Sequence, residues 1–170
     1  MARLAVAVMG QDRPGIVAAV TVALEELECS LEDLSTSILR GYFAMMLICH
    51  GPGGKGDVAA QLDSVAGRLG LLVDVWEVGE AADSQEPDHR LTVYGPDRLG
   101  IVRQVASLLA RENVNICDMT CRLVEQGSAL YVVNMEIQIP AGVRLEPALR
   151  AELPPLGLRH ALRALESDVL

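Results

Sequence analysis

Gly10-Gln11-Asp12-Arg13-Pro14-Gly15-Ile16-Val17 and Gly95-Pro96-Asp97-Arg98-Leu99-Gly100-Ile101-Val102 stand 85 positions apart in a chain of 170 residues. The same shift superposes Val8 on Val93, Val20 on Val105, Leu24 on Leu109 and Asp33 on Asp118. A repeat of that period marks a structural unit written twice, each copy folding about 80 residues. We expect one domain over residues 1–79 and a second over 89–170. The acidic, proline-bearing stretch 80–88 between them reads as an exposed linker.

Within the first copy, Leu4–Met9 is a short apolar run suited to a buried strand. From Ile16 the apolar residues Val17, Val20, Leu24 and Leu27 recur at helical spacing. Leu31–Leu39, the Arg40-Gly41 turn and Tyr42–Cys49 read as a hairpin, with Phe43 or its neighbours facing the core. Asp57–Leu69 has a helical pattern that Gly70 ends, and Leu71–Val78 alternates as a closing strand. The second copy repeats this order: strand Leu91–Tyr94, helix Ile101–Arg111, hairpin strands Asn115–Val124 and Ala129–Ile139 across the turn at 125–128, helix Glu146–Leu153 and strand Leu158–Leu165. The fold class is therefore α+β: two tandem ferredoxin-like βαββαβ domains, with antiparallel sheets and helices on one face.

Each octapeptide joins the first strand to the first helix. Asp12 and Asp97 stand where a helix N-cap is expected, and Pro14 would fill the first helical turn. Capping explains the aspartates. It leaves unexplained the arginine that follows each, and a glycine inside a first turn, where it costs about 0.5–1 kcal/mol relative to alanine. Free amides and the positive dipole end at such a terminus also suit a ligand carboxylate, while Asp12 or Asp97 would hold an ammonium, with Asn115 as a further polar partner. Capping alone, an amino acid and another small anion all remain open on these grounds.

The pair DRPGIV and DRLGIV, together with Asn115, Ile116 and Asp118 and the stretch GYFAMMLI at 41–48, resembles the ACT domain. Two such modules with nothing added are similar to the glycine cleavage system transcriptional repressor family. The resemblance implies a cytoplasmic regulatory protein that is not an enzyme. It would sense an amino acid, with glycine the first candidate, and engage a DNA-binding activator. A regulatory subunit of an amino-acid metabolic enzyme, or a ligand-free dimerisation module, are the alternatives. The implied ligand set is Asp12, Arg13, Gly15, Ile16 and Val17, then Asp97, Arg98, Gly100, Ile101 and Val102, with Asn115 and Asp118 contributed from the second strand of a paired module. Ser30 replaces Asn115 in the first copy and Leu99 replaces Pro14 in the second, so the two sites are expected to be unequal. A homodimer is expected, and because a lone module leaves an open sheet edge, the modules are expected to pair edge to edge, either within the chain or across the dimer.

The remaining features carry no further chemistry. A net charge of −9 and a single tryptophan among few aromatics disfavour direct nucleic-acid binding. No apolar run approaches the roughly 20 residues of a membrane span, and the N-terminal stretch is too short for a signal peptide. Residues 51–57, GPGGKGD, lack phosphate-loop spacing and read as the loop before the second helix. Cys29, Cys49, Cys117 and Cys121 form no CxxC pair, and Cys117 and Cys121 would share a strand face without making a metal site. His50, His89 and His160 show no carboxylate or cysteine partner at a useful spacing, and the methionines read as core filler. No nucleophile–base constellation, metal set or cofactor motif is expected.

Overall fold

The computed structural model describes residues 2–79, 86–126 and 128–165. The chain divides into two compact units, Met1–Ala82 and Asp83–Leu170. Most of the stretch expected to be a linker, residues 80–85, lies outside the described residues, as does Gly127 in the second hairpin turn.

The first unit runs β1 (Ala2–Gln11), α1 (Ile16–Glu25), β2 (Ser30–Leu39), β3 (Tyr42–Gly51), α2 (Lys55–Leu69) and β4 (Leu71–Glu77). The second runs β5 (His89–Pro96), α3 (Ile101–Arg111), β6 (Asn115–Gln126), β7 (Ser128–Gln138), α4 (Leu145–Glu152), a 3-10 turn (Pro154–Leu156) and β8 (Arg159–Ala164). Each makes one antiparallel four-stranded sheet, ordered β2-β3-β1-β4 and β6-β7-β5-β8. This is the expected ferredoxin-like arrangement, twice over. The strand expected from 158 to 165 is present as β8, despite a sequence poor in β-branched residues. Pairing with Leu91 and Val93 of β5 overrides its weak local propensity.

Strand alternation decides what each sheet buries. Leu4, Val6 and Val8 of β1, Phe43, Met45 and Leu47 of β3 and Val75 of β4 point to the helix side. There they meet Ile16, Val20 and Leu24 of α1 and Val58, Leu62 and Val65 of α2. The second unit packs Leu91, Val93, Val133, Met135 and Ile137 against Ile101, Val105, Leu108 and Leu149. Burying an aliphatic side chain of this size contributes about 1.5–3 kcal/mol, so each unit has a core of its own.

Three local expectations are corrected. α2 begins at Lys55, not Asp57, because Asp57 Oδ2 accepts a hydrogen bond from the Gly54 amide at 3.0 Å and turns GGKG into a helix start. Cys117 does not alternate regularly with Cys121, because a β-bulge falls between Ile116 and Asp118, matched by one between Leu31 and Asp33. The methionines are not all core: Met45 and Met135 are buried, whereas Met9, Met46 and Met119 are at least 40% exposed.

Candidate functional site

Both repeated loops have the same backbone. The N-cap of α1 is Gly15 at φ 94° and that of α3 is Gly100 at φ 90°, and neither helix has a side-chain cap. Asp12 and Asp97 are therefore not the caps the sequence suggested, and Pro14 precedes the helix instead of opening it. The left-handed turn has moved each helix start beyond their reach. It also accounts for the glycines, since other residues pay roughly 1–2 kcal/mol to enter that region. The Asp12 amide donates to the Gly41 carbonyl at 2.9 Å and the Asp97 amide to the Ala129 carbonyl at 3.4 Å, so each loop is pinned to the hairpin turn of its own unit.

The side chains around the two loops differ. The Arg13 guanidinium donates to the Leu69 carbonyl at the end of α2, where a cation suits the negative dipole end. Arg98 instead donates to Gln104 Oε1 at 3.0 Å, across the start of α3. Around the second loop lies a hollow of about 390 Å³ lined by Asp97, Arg98, Leu99, Gly100, Ile101, Val102, Arg103 and Tyr131. Ile101 is 3% exposed, so it offers the hollow little beyond its backbone. Ile16 is likewise core in the first unit, while Val17 is partly exposed.

Tyr131 and Arg103 were missed by sequence reasoning. Tyr131 stands opposite Gly95 on β7, as Phe43 stands opposite Gly10 on β3. The repeat shift places Arg103 over Ala18. The second loop thus has a phenol and a guanidinium where the first has a benzyl and a methyl group. A hydrogen bond with Cys121, then burial and the charges of Cys121 and Asp97, hold the Tyr131 pKa above the ordinary phenol value. Tyr131 is a neutral hydroxyl at neutral pH. The register shared by the two hairpins was the available signal.

Asn115 and Asp118 do not join this hollow within their own unit. β7 residue Gln138 pairs with Asn115, whereas Leu130 pairs with Pro96 beside the loop. Those two β7 positions are eight residues apart, roughly 26 Å along a strand. Asn115 lines a separate hollow of about 480 Å³ with Asn113, Gln138 and Pro140. Asp118 faces the helix-free side of the sheet, in a hollow of about 270 Å³ with Arg90, Thr120, Asn134 and Glu136.

The histidines do have carboxylate partners, contrary to expectation. His50 Nδ1 lies 3.0 Å from Glu32, His89 Nδ1 2.7 Å from Asp88 and His160 Nε2 3.3 Å from Glu146. Sequence spacing hid the first and third, because those partners come from neighbouring strands or a helix. The Arg150 hydrogen bond, opposed by burial and reinforced by His160, holds the Glu146 carboxyl below the ordinary value. Cys29 and Cys49 are buried, and burial followed by the neighbouring Cys29 pushes the Cys49 thiol up to about 11.

The ACT domain model matches residues 2–76. A UPF0237 protein of Methanocaldococcus jannaschii is 36% identical over 78 residues, which is 44% of this chain and 87% of that protein. A UPF0237 protein of Methanopyrus kandleri is 46% identical over 48 residues, 28% of this chain; the chain spans about half, 53%, of that relative's length. Among solved structures, an unknown protein from Galdieria sulphuraria superposes with a TM-score of 0.82 at 24% identity, covering 96% of this chain and 98% of that one. A protein provisionally named glycine cleavage system transcriptional repressor gives 0.77 at 17% identity, covering 96% and 97%. At these identities the two structures speak for the tandem fold alone.

Proposed function

This chain belongs to the ACT-domain family, and on that premise we propose that it is an amino-acid-sensing regulatory protein whose ligand occupies the second repeated loop. The observation that carries the reading is the hollow at Asp97–Arg103, set against an α3 N-terminus with no side-chain cap. The first-turn amides, with Arg103, would receive a ligand carboxylate. Asp97 would take the ammonium, and the Tyr131 hydroxyl would add a neutral hydrogen bond to either group. Carboxylate and ammonium recognition together define an α-amino acid. Arg98, held on Gln104, closes one side.

Regulation would follow from linkage. A ligand that orders the loop and the start of α3 favours one conformation of the second unit, and a protein partner that prefers that conformation gains or loses affinity by the same factor. The net charge of −9 favours a protein partner over nucleic acid. Control of the transcription of amino-acid metabolism genes, through contact with a DNA-binding activator, is the role we assign.

Calorimetric titration of the intact chain with each of the twenty amino acids tests the binding step. Saturable heat with a small amino acid such as glycine or serine is expected. A flat response to all twenty would leave a module that regulates without a ligand, and would sink the sensing proposal.

A further inference from the structure

The helix-free face of the second sheet carries arginines that the fold does not require. Leu91 and Val93 of β5 and Val133, Met135 and Ile137 of β7 are buried in the core. Strand alternation therefore turns Arg90, Thr92, Tyr94, Val132, Asn134 and Glu136 to the other side. Cross-strand pairing adds β8 and β6, so one row of the face reads Arg163, Arg90, Glu136, Asp118 and another reads Arg159, Tyr94, Val132, Arg122. The two rows hold four arginines against two carboxylates, in a chain of net charge −9. Asp88, at the margin before β5, is occupied with His89 and the Ile139 amide.

The arrangement is poorly explained by stability. Arg90 donates to Glu136 at 2.7 Å, but among the described residues Arg122, Arg159 and Arg163 make no ion pair, and all three are exposed. Arg90 stands directly opposite Arg163, and Asp118 opposite Glu136, and like charges so placed destabilise a sheet. In the first unit the equivalent register positions hold Ala5, Leu72, Trp76 and Ser37, none of them cationic, and the same sheet forms.

We propose that this face docks an acidic segment of a protein partner, which lies along β8 and β5 with its carboxylates on Arg159, Arg163 and Arg90. Charge complementarity selects the occupant, because each guanidinium presents a planar fork that takes a carboxylate on two donors. A hollow of about 410 Å³ on this half of the face includes Arg90, Thr92, Ala161 and Arg163 in its lining. Arg159 and Arg163, four residues apart on one strand, are separated by roughly 13 Å. Every fourth side chain of an extended acidic segment has that same spacing. Tyr94, opposite Arg159, adds an amphipathic ring of the kind that interface centres favour. Asp118 and Glu136, at the far corner, supply the discrimination: they repel a continuous phosphate backbone, whereas a protein segment can place a neutral or basic residue there. The face lies across the sheet from α3, so the inference goes beyond the amino-acid hollow and does not depend on it.

Fluorescence anisotropy of a labelled glutamate hexadecapeptide with the full chain tests the proposal. Saturable binding that weakens with added salt is expected, because exposed ion pairs are screened. Arg159→Glu/Arg163→Glu should weaken it at least about tenfold, with unchanged circular dichroism. Lys55→Glu/Arg68→Glu makes the same change in net charge at exposed positions of the first unit and should weaken binding less than about twofold. If the charge-reversed variant fails to fold, Arg159→Gln/Arg163→Gln takes its place and should still weaken binding about threefold or more. No binding to the wild type, binding undiminished in the folded variants, or an equal loss in the first-unit control would each overturn the proposal. So would tighter binding of a thymidine oligonucleotide or of phosphatidylserine vesicles, which would assign the face to phosphate. A sedimented mass that changes in Arg159→Glu/Arg163→Glu would assign it to contact between copies, with the same consequence.

Discussion

The two copies of the loop share a backbone and differ in everything that backbone presents. Gly15 and Gly100 take the same left-handed turn, within a few degrees of one another. Beyond that turn, Arg13 is spent on the end of α2, while Ala18 and Phe43 stand where the second unit has Arg103 and Tyr131. On the helix-free sheet faces, Ala5, Ala7 and Met9 of β1 stand where β5 has Arg90, Thr92 and Tyr94. Repeat geometry is thus held by positions that the backbone restricts, and specialisation occurs at positions that it leaves free. We read the second unit as the sensing module.

The comparison can be broken at several points. The largest expected effect is shared by both copies. Gly15→Ala and Gly100→Ala should each destabilise their unit by roughly 1–2 kcal/mol, the cost of forcing a side chain into the left-handed region. Thermal unfolding reads the loss, and only Gly100→Ala should also weaken the amino-acid heat. Next, Tyr131→Phe makes the second loop resemble the first. Removing a single hydrogen bond of about 0.5–1.5 kcal/mol should weaken binding up to roughly tenfold by calorimetry, with little change in melting.

Arg13→Ala should cost the first unit about 0.3–1 kcal/mol, by uncapping α2, and leave ligand affinity unchanged. The smallest effect is pH-dependent. The folded Glu146 carboxyl titrates below its ordinary value of 4.5, so its pairing with Arg150 and His160 stabilises the second unit above that pH. That contribution is lost as the pH falls through the lower folded value. Glu146→Gln should therefore melt slightly below wild type near neutrality, and the gap should close on acidification.

How much of this was legible in the sequence follows from the range of each interaction. The repeat shift, the element order and the core positions were readable, because periodicity and local propensity act over a few residues. The caps were not. Glycine after an aspartate reads as a cap followed by a helical residue, and only tertiary pinning of Asp12 and Asp97 to Gly41 and Ala129 moves the helix start. Arg13 on Leu69, Tyr131 beside Asp97 and Glu146 beside His160 are separated by many residues along the chain and meet only through tertiary packing of strands, loops and helices. The separation of Asn115 from the loop follows from the length of the β6–β7 hairpin, which a motif match does not measure.

The most direct test of the central claim is the stoichiometry of amino-acid binding to wild type, Asp12→Asn and Asp97→Asn by calorimetry. The account predicts one ligand per chain for wild type and Asp12→Asn, and a loss of roughly tenfold or more in affinity for Asp97→Asn, as expected for losing a charge-assisted hydrogen bond. Two ligands per chain, or binding abolished by Asp12→Asn and retained by Asp97→Asn, would contradict it.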